Sequence, residues 1–196
     1  MRTKTLPYIE AYPKTVMLRD GTQVELRPLL AEDQGRLLDF FQRIPDEECY
    51  YLKENVTSPE VIQAWTSDID LSRVIPIITV VADQIIGDAT LHRSRAIARC
   101  HIGELRIVVD PRYRELGLGR RLIRELLDIA AELELQKVTF QSVDHWERRA
   151  IDAAASVGFR EVATLKEWVH DFWGDYRDLV IVTTPPAKAG GFSGNA

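Results

Sequence analysis

The sequence predicts an α/β domain that mixes antiparallel hairpins with β-α-β units, and three observations carry that reading. Asp20-Gly21 sits between alternating apolar and polar residues, a strong hairpin signal. Val74 to Ala82 and Ile85 to Arg93 form a second hairpin around a short turn at Asp83-Gln84. Ile102 to Val109, the apolar-periodic run Gly117 to Leu133, and Lys137 to Val143 then follow as strand, helix and strand.

The elements follow in order. Thr15 to Leu18 and Gln23 to Arg27 are the arms of the first hairpin, and Val24-Glu25-Leu26-Arg27-Pro28 alternates as a half-buried strand does. Ala31 to Arg43 places Leu37, Leu38, Phe40 and Phe41 at helical spacing, with Ile44 beyond them, and Pro45 marks its stop. Ser58-Pro59-Glu60 supplies N-cap, first-position proline and first-turn acid for a helix through about Trp65. Leu118, Leu122, Leu126, Ile129 and Leu133 line one face of the longest helix. Glu147 to Val157 reads as a helix closed by Gly158, and Glu161 to Val169 and Arg177 to Thr183 read as the last strands. The expected organisation is a flexible lead over 1–14, one domain over 15–184, and a flexible Pro, Ala, Gly and Ser tail over 185–196.

Composition excludes several functions. A net charge of −5 over 196 residues argues against a sequence-independent nucleic-acid binder and against a polybasic membrane anchor. The longest apolar stretch, Val74 to Ala82, is far short of the roughly 20 residues of a membrane span. Met1 to Tyr12 has no apolar core of a signal peptide, so a cytoplasmic location is expected. Cys49 and Cys100 form no disulfide framework and no metal-binding pair, which suits reduced cysteines. His92, His101, His145 and His170 are scattered without metal-ligand spacing, so no metal is expected.

The informative stretch runs from Leu105 to Leu122, a strand that turns into a helix with Gly117 and Gly119 at the turn. A helix N-terminus offers unpaired N–H groups and the positive end of its dipole, and glycine lets an anion approach the backbone. The pattern predicts a phosphate held by the main-chain amides of Glu115 to Arg120. No Lys-Ser or Lys-Thr follows the glycines as in a P-loop, and the third position after Gly119 is Leu122 rather than the glycine of a dinucleotide fold.

Val109-Asp110-Pro111, Tyr113, Arg114-x-x-Gly117-x-Gly119 and the helix behind them resemble motif A of the GNAT superfamily of acetyl-CoA-dependent N-acetyltransferases, over about Val16 to Thr183. The resemblance implies a mostly antiparallel central sheet flanked by helices, opened into a V-shaped slot for acetyl-CoA. It assigns cofactor contacts to Ile107, Val108, Val109, Arg114, Glu115, Leu116, Gly117, Leu118, Gly119, Arg120 and, by counting back from Gly158-Phe159, Glu147. One N–H of Ile107 to Val109 would polarise the thioester carbonyl, as an oxyanion hole does. Glu104 at the start of the strand is the candidate general base, directly or through water. Arg120, Arg121 and Arg124 either neutralise coenzyme A phosphates or form a solvated face.

Two departures matter. Relatives carry Asn and Tyr where this chain has Glu147 and Ala154, and Ala154 cannot protonate a leaving thiolate. Tyr113 and Tyr176 are possible substitutes, and unassisted loss of a thiol with pKa near 8.5 is chemically tolerable. Trp168 and Trp173 flank a polar stretch that could rim an acceptor pocket or serve packing. The expected activity is acetyl transfer to a primary amine of a small molecule or a protein, with a homodimer possible. The alternatives are a catalytically silent acetyl-CoA sensor and a purely structural domain.

Overall fold

The computed structural model describes residues 7–143 and 148–185. Its frame is an eight-stranded sheet of order β1-β2-β3-β4-β5-β6-β8-β7. The strands are β1 Lys14–Met17, β2 Gln23–Pro28, β3 Val74–Val81, β4 Gln84–Arg93, β5 Ile102–Val109, β6 Lys137–Val143, β7 Arg160–His170 and β8 Tyr176–Thr183. Every pairing is antiparallel except β5 with β6. The helices are α1 Pro7–Glu10, α2 Gln34–Phe41, α3 Asp46–Cys49, α4 Pro59–Ser67, α5 Leu118–Glu132 and α6 Arg148–Ala155.

The sheet buries both faces. One core packs the α5 leucines, including Leu118, Leu122 and Leu126, with Ile151 and Ala154 of α6 against Leu26, Ile77, Ala89 and Leu105. The other packs Leu37, Phe40 and Phe41 of α2 and Ile62 of α4 against Ile78 and Ile85. Strands buried on both sides read as apolar runs rather than alternations, which is the pattern of Val74 to Ala82.

Several elements depart from the sequence expectation for local reasons. The Ala31 to Arg43 helix begins as a 3-10 turn over Ala31–Asp33, because the fully buried Asp33 carboxylate turns back onto Arg27 at 2.6 and 2.8 Å and the Leu30 N–H at 2.9 Å. The same helix ends at Phe41 with Gln42 as its C-cap, two residues before the expected Arg43, and Pro45 is instead the N-cap of α3. The β3–β4 turn is Ala82-Asp83, one residue earlier than expected, with both residues at positive φ (45° and 63°) as a tight hairpin requires. Within the lead expected to be flexible, residues 7–10 form a helical turn and Tyr12 donates to Glu125 of α5 at 3.0 Å. Glu125 is 2% exposed and also meets Lys14 at 2.6 Å, so the segment is tied to the long helix. Residues 1–6 and the tail beyond 185 lie outside the described residues.

Candidate functional site

The slot is created by a change of partner. β5 pairs with β6 only through Ile102↔Lys137, Gly103↔Val138 and Glu104↔Thr139. From Thr139 to Val143, β6 bonds β8 on its other side, while β5 continues to Val109 against β4 alone. The edge of β5 beyond Glu104 is therefore bare. Asp110 N–H donates to Ile86 O, and Arg93 N–H on β4 turns the opposite way, to Arg73 O. Main-chain groups alternate along a strand, so Leu105, Ile107 and Val109 aim their N–H and C=O into the slot. Val108, expected to contribute main-chain contacts too, turns its N–H toward β4 and offers the slot only its side chain.

A cleft of about 990 Å³ fills this opening, with Ile107, Val108 and Val109 on one wall and Phe140, Ala154 and Phe159 on the other. Its far end is the glycine turn. Asp110, 1% exposed, caps the Pro111–Tyr113 turn by accepting from Arg112 N–H at 3.0 Å and also takes Arg43 and Arg112 side chains. Burial opposes its ionisation, but the Arg112 and Arg43 hydrogen bonds prevail and hold it at about 2. Glu115 (φ 63°) and Gly117 (φ 89°) turn the chain sharply into α5. The first-turn amides that follow have no partner inside the helix. A Cβ at Gly119 would meet nothing nearer than Val109 Cγ2 at 4.0 Å, so the space above those amides is open. Arg120 has a buried Nε without a hydrogen bond. An open cradle beside an unsatisfied guanidinium nitrogen fits a phosphate group.

Glu104 lies at the origin of the slot, on the α2–α4 face of the sheet. Its Oε1 meets Lys53 Nζ at 2.5 Å and Arg106 Nε at 3.1 Å. Burial would raise its pKa, but Lys53 and Arg106 outweigh that and leave it lowered. His92 faces it across the β4–β5 ladder. Burial, then Arg106, depresses the imidazole to about 4, so it is neutral at pH 7.

Other expected residues are placed as follows. Arg114 forms a bidentate pair with Glu48 of α3 at 2.8 and 2.6 Å and donates to Val109 O at 3.1 Å, bridging the mouth of the slot. Leu116 and Leu118 pack into the core below the turn. Glu147, with His145 and Trp146, lies outside the described residues. Ala154 is buried at 1%. Neither Tyr113 nor Tyr176 lines the cleft, whereas Tyr51 does. Cys49 and Cys100 are free thiols, and neither lines the cleft. Trp168 and Trp173 are exposed at 65% and 61%, not packed in a core. Phe172 bridges Trp173 and Tyr50 with centroids 5.7 and 5.9 Å apart. Among the described residues no cluster of His, Cys, Asp or Glu could hold a metal, and no helix is long and apolar enough to cross a membrane.

Sequence reasoning missed Arg19, Glu48, Tyr51 and Lys53. Arg19 lies over Gly117, 3.5 Å from where its Cβ would stand, and lines the cleft. No motif marks these four residues, because each reaches the site across a long stretch of sequence.

Comparisons with known proteins agree with this geometry. The yncA protein of Salmonella typhimurium, solved with its cofactor acetyl-CoA, superposes with a TM-score of 0.72 at 16% identity, over 87% of this chain and 98% of that one. A GNAT-family acetyltransferase from Streptococcus pneumoniae gives 0.71 at 18% identity, over 82% and 98%. The ribosomal-protein-alanine N-acetyltransferase of Brucella melitensis gives 0.70 at 22%, over 82% and 98%. These likenesses establish the fold. The family model described as acetyltransferase (GNAT) family matches residues 29–159, from the residue after β2 through the slot to Phe159. Because that match spans about two thirds of the chain, including both walls of the slot and the turn between them, the protein belongs to the GNAT acetyltransferase family and uses acetyl-CoA.

Proposed function

We propose that the protein transfers the acetyl group of acetyl-CoA to a primary amine by direct attack of that amine on the thioester carbonyl. The observation that carries this reading is the position of Glu104, the last residue at which β5 and β6 are paired, so that an ionised carboxylate stands where the slot opens. With phosphates at the amides of Glu115 to Arg120 and the main-chain groups of Ile107 and Val109 along the slot, the thioester end lies toward Glu104. No cysteine lines the cleft, which favours direct attack over a cysteinyl intermediate.

Each residue then has a stated role. The N–H of Ile107 or Val109 takes charge developing on the carbonyl oxygen. Glu104 accepts a proton from the attacking nitrogen as the C–N bond forms, when that N–H becomes strongly acidic. Its lowered pKa keeps it ionised in neutral solution, so it need not be deprotonated first. Tyr51, in the cleft wall, is better placed than Tyr113 or Tyr176 to protonate the departing thiolate. The exposed rings of Tyr50, Phe172 and Trp173 suit a cationic acceptor, by cation–π contact.

A second reading, a silent acetyl-CoA sensor, draws on two observations: Glu104 is bound to two cations, and Ala154 replaces the usual tyrosine. Thiol release with acetyl-CoA and a panel of primary amines and peptides, beside calorimetric titration of acetyl-CoA alone, separates the two. Amine-dependent release is expected. Binding without release on every acceptor would favour the sensor, and absence of binding would refute the slot assignment.

A further inference from the structure

The contact that holds Glu104 has the form of the reaction proposed for the slot. A primary amine, Lys53 Nζ, sits 2.5 Å from the carboxylate assigned to receive the acceptor's proton. Lys53 follows Tyr51 and Leu52, both of which line the cleft, so it is delivered from the α3 side to the slot's origin. The side chain is 45% exposed, which leaves it free to move along the cleft wall. Glu104, at 25%, is reachable from the same side. An incoming acceptor ammonium must displace Lys53 from Glu104, because both cations seek the same carboxylate.

We propose that Lys53 is an internal acceptor of the enzyme, acetylated in cis by the acetyl-CoA in its own slot; this rests on the acetyltransferase reading given above. The Lys53 ammonium first gives one proton to solvent; the neutral Nζ then attacks the thioester carbonyl carbon, and the nitrogen, made acidic by the new bond, loses its second proton to Glu104. The new bond is Nζ–C, the bond broken is C–S, and coenzyme A leaves as its thiol after taking up one proton. Nothing is oxidised or reduced. The product amide carries no charge and can no longer pair with Glu104. Acetylation therefore vacates the carboxylate for an external amine and ends the competition that Lys53 imposes.

The chain supplies its own controls. Lys14 pairs with Glu125 and Lys166 with Asp178, each at 2.6 Å, so both are lysines bound to a carboxylate but away from the slot. The purified full-length protein, with Lys53 unmodified, is incubated with acetyl-CoA and no amine, and acetylation of each lysine is followed by peptide mass mapping. Lys53 is expected to react about 10²-fold faster than Lys14 or Lys166, the scale of a positioned general base. The first-order rate is expected to be independent of protein concentration and slowed in Glu104→Gln. Lys53→Arg should abolish the single equivalent of thiol released without amine. Reaction at Lys53 no faster than at Lys14 and Lys166, or a rate rising with protein concentration, would overturn cis transfer. Amine turnover with Lys53 left unmodified would overturn this proposal and spare the enzyme reading, whereas failure to bind acetyl-CoA would remove both.

Discussion

Glu104 enters its proposed role already ionised, and that shapes the chemistry asked of it. A carboxylate below its ordinary range is a weak base toward a free ammonium, whose reference pKa is about 10.4 for lysine. It is adequate once the nitrogen is bonded to carbon and its proton has become acidic. Glu104→Gln should therefore lower kcat by about 10²-fold or more while leaving the KM for acetyl-CoA close to wild type. The rise of kcat/KM with pH should follow the pKa of the acceptor amine rather than any enzyme group; steady-state kinetics with two amines of different pKa decides this. Asp88 is the second carboxyl of interest on this face. It stands opposite Val108, and the described residues give it no hydrogen bond or ion pair; burial raises it to about 7 from 3.8. A raised acid keeps its proton in the folded state while the unfolded chain has lost it. Its contribution to stability thus falls as pH rises from about 4 to about 7, by a few kcal/mol at most. His92, depressed to about 4 from 6.5, acts in the opposite sense over nearly the same window, since the unfolded chain takes up the proton first and stability rises with pH. Asp88→Asn removes one side of this balance. Its melting temperature, compared with wild type, should gain increasingly as pH goes from 4 to 8; a gap that stays constant would contradict the assignment.

At the scale of elements, the slot is the consequence of one strand exchanging partners. β5 and β6 touch over three residue pairs, and the middle pair contains Gly103. A Cβ there would come within 2.7 Å of Leu91 Cδ1 on β4 and 2.9 Å of Leu135 Cδ1 in the α5–β6 connection, so the glycine allows both side chains to close over β5. Gly103→Val should destabilise the protein by about 1–3 kcal/mol through overpacking. It should also weaken acetyl-CoA binding, because the apex of the slot would be pushed open; denaturant melts and calorimetry test the two effects separately. Nothing about Gly103 is distinctive in sequence, since a lone glycine in a strand usually signals a bulge. α3 was equally unreadable. Four residues after a proline carry no usable periodicity, yet they place Glu48 against Arg114 and so tie the second layer to the glycine turn.

Across the whole molecule, the sheet and its two cores form one scaffold, and acetyl-CoA binding should couple to its stability. At a ligand concentration of about 100 times Kd, binding to the folded state alone adds about 2.7 kcal/mol, which shifts Tm by roughly 5–11 °C for a chain of this size. Gly117→Arg should abolish that shift. It fills the phosphate cradle and strains a left-handed position at φ 89°, so its apo Tm should also drop modestly. A full ligand-induced shift in this variant would place the phosphates elsewhere.

The chain's local spacing determined most of the elements. Helix and strand periods are properties of neighbouring residues, and so is the strand–glycine–helix turn, which is why β5, β6 and α5 were legible to within a residue. The same locality made Glu104, Gly117 and Gly119 visible as candidates. Only the tertiary structure decided what these groups meet. Lys53 reaches Glu104 across 51 positions and Glu48 reaches Arg114 across 66, and no short-range pattern encodes such pairings. The opening of the slot belongs to the same class. It exists because β6 bonds β8 beyond Thr139 while β5 does not follow, a competition among three strands that no single stretch of sequence contains.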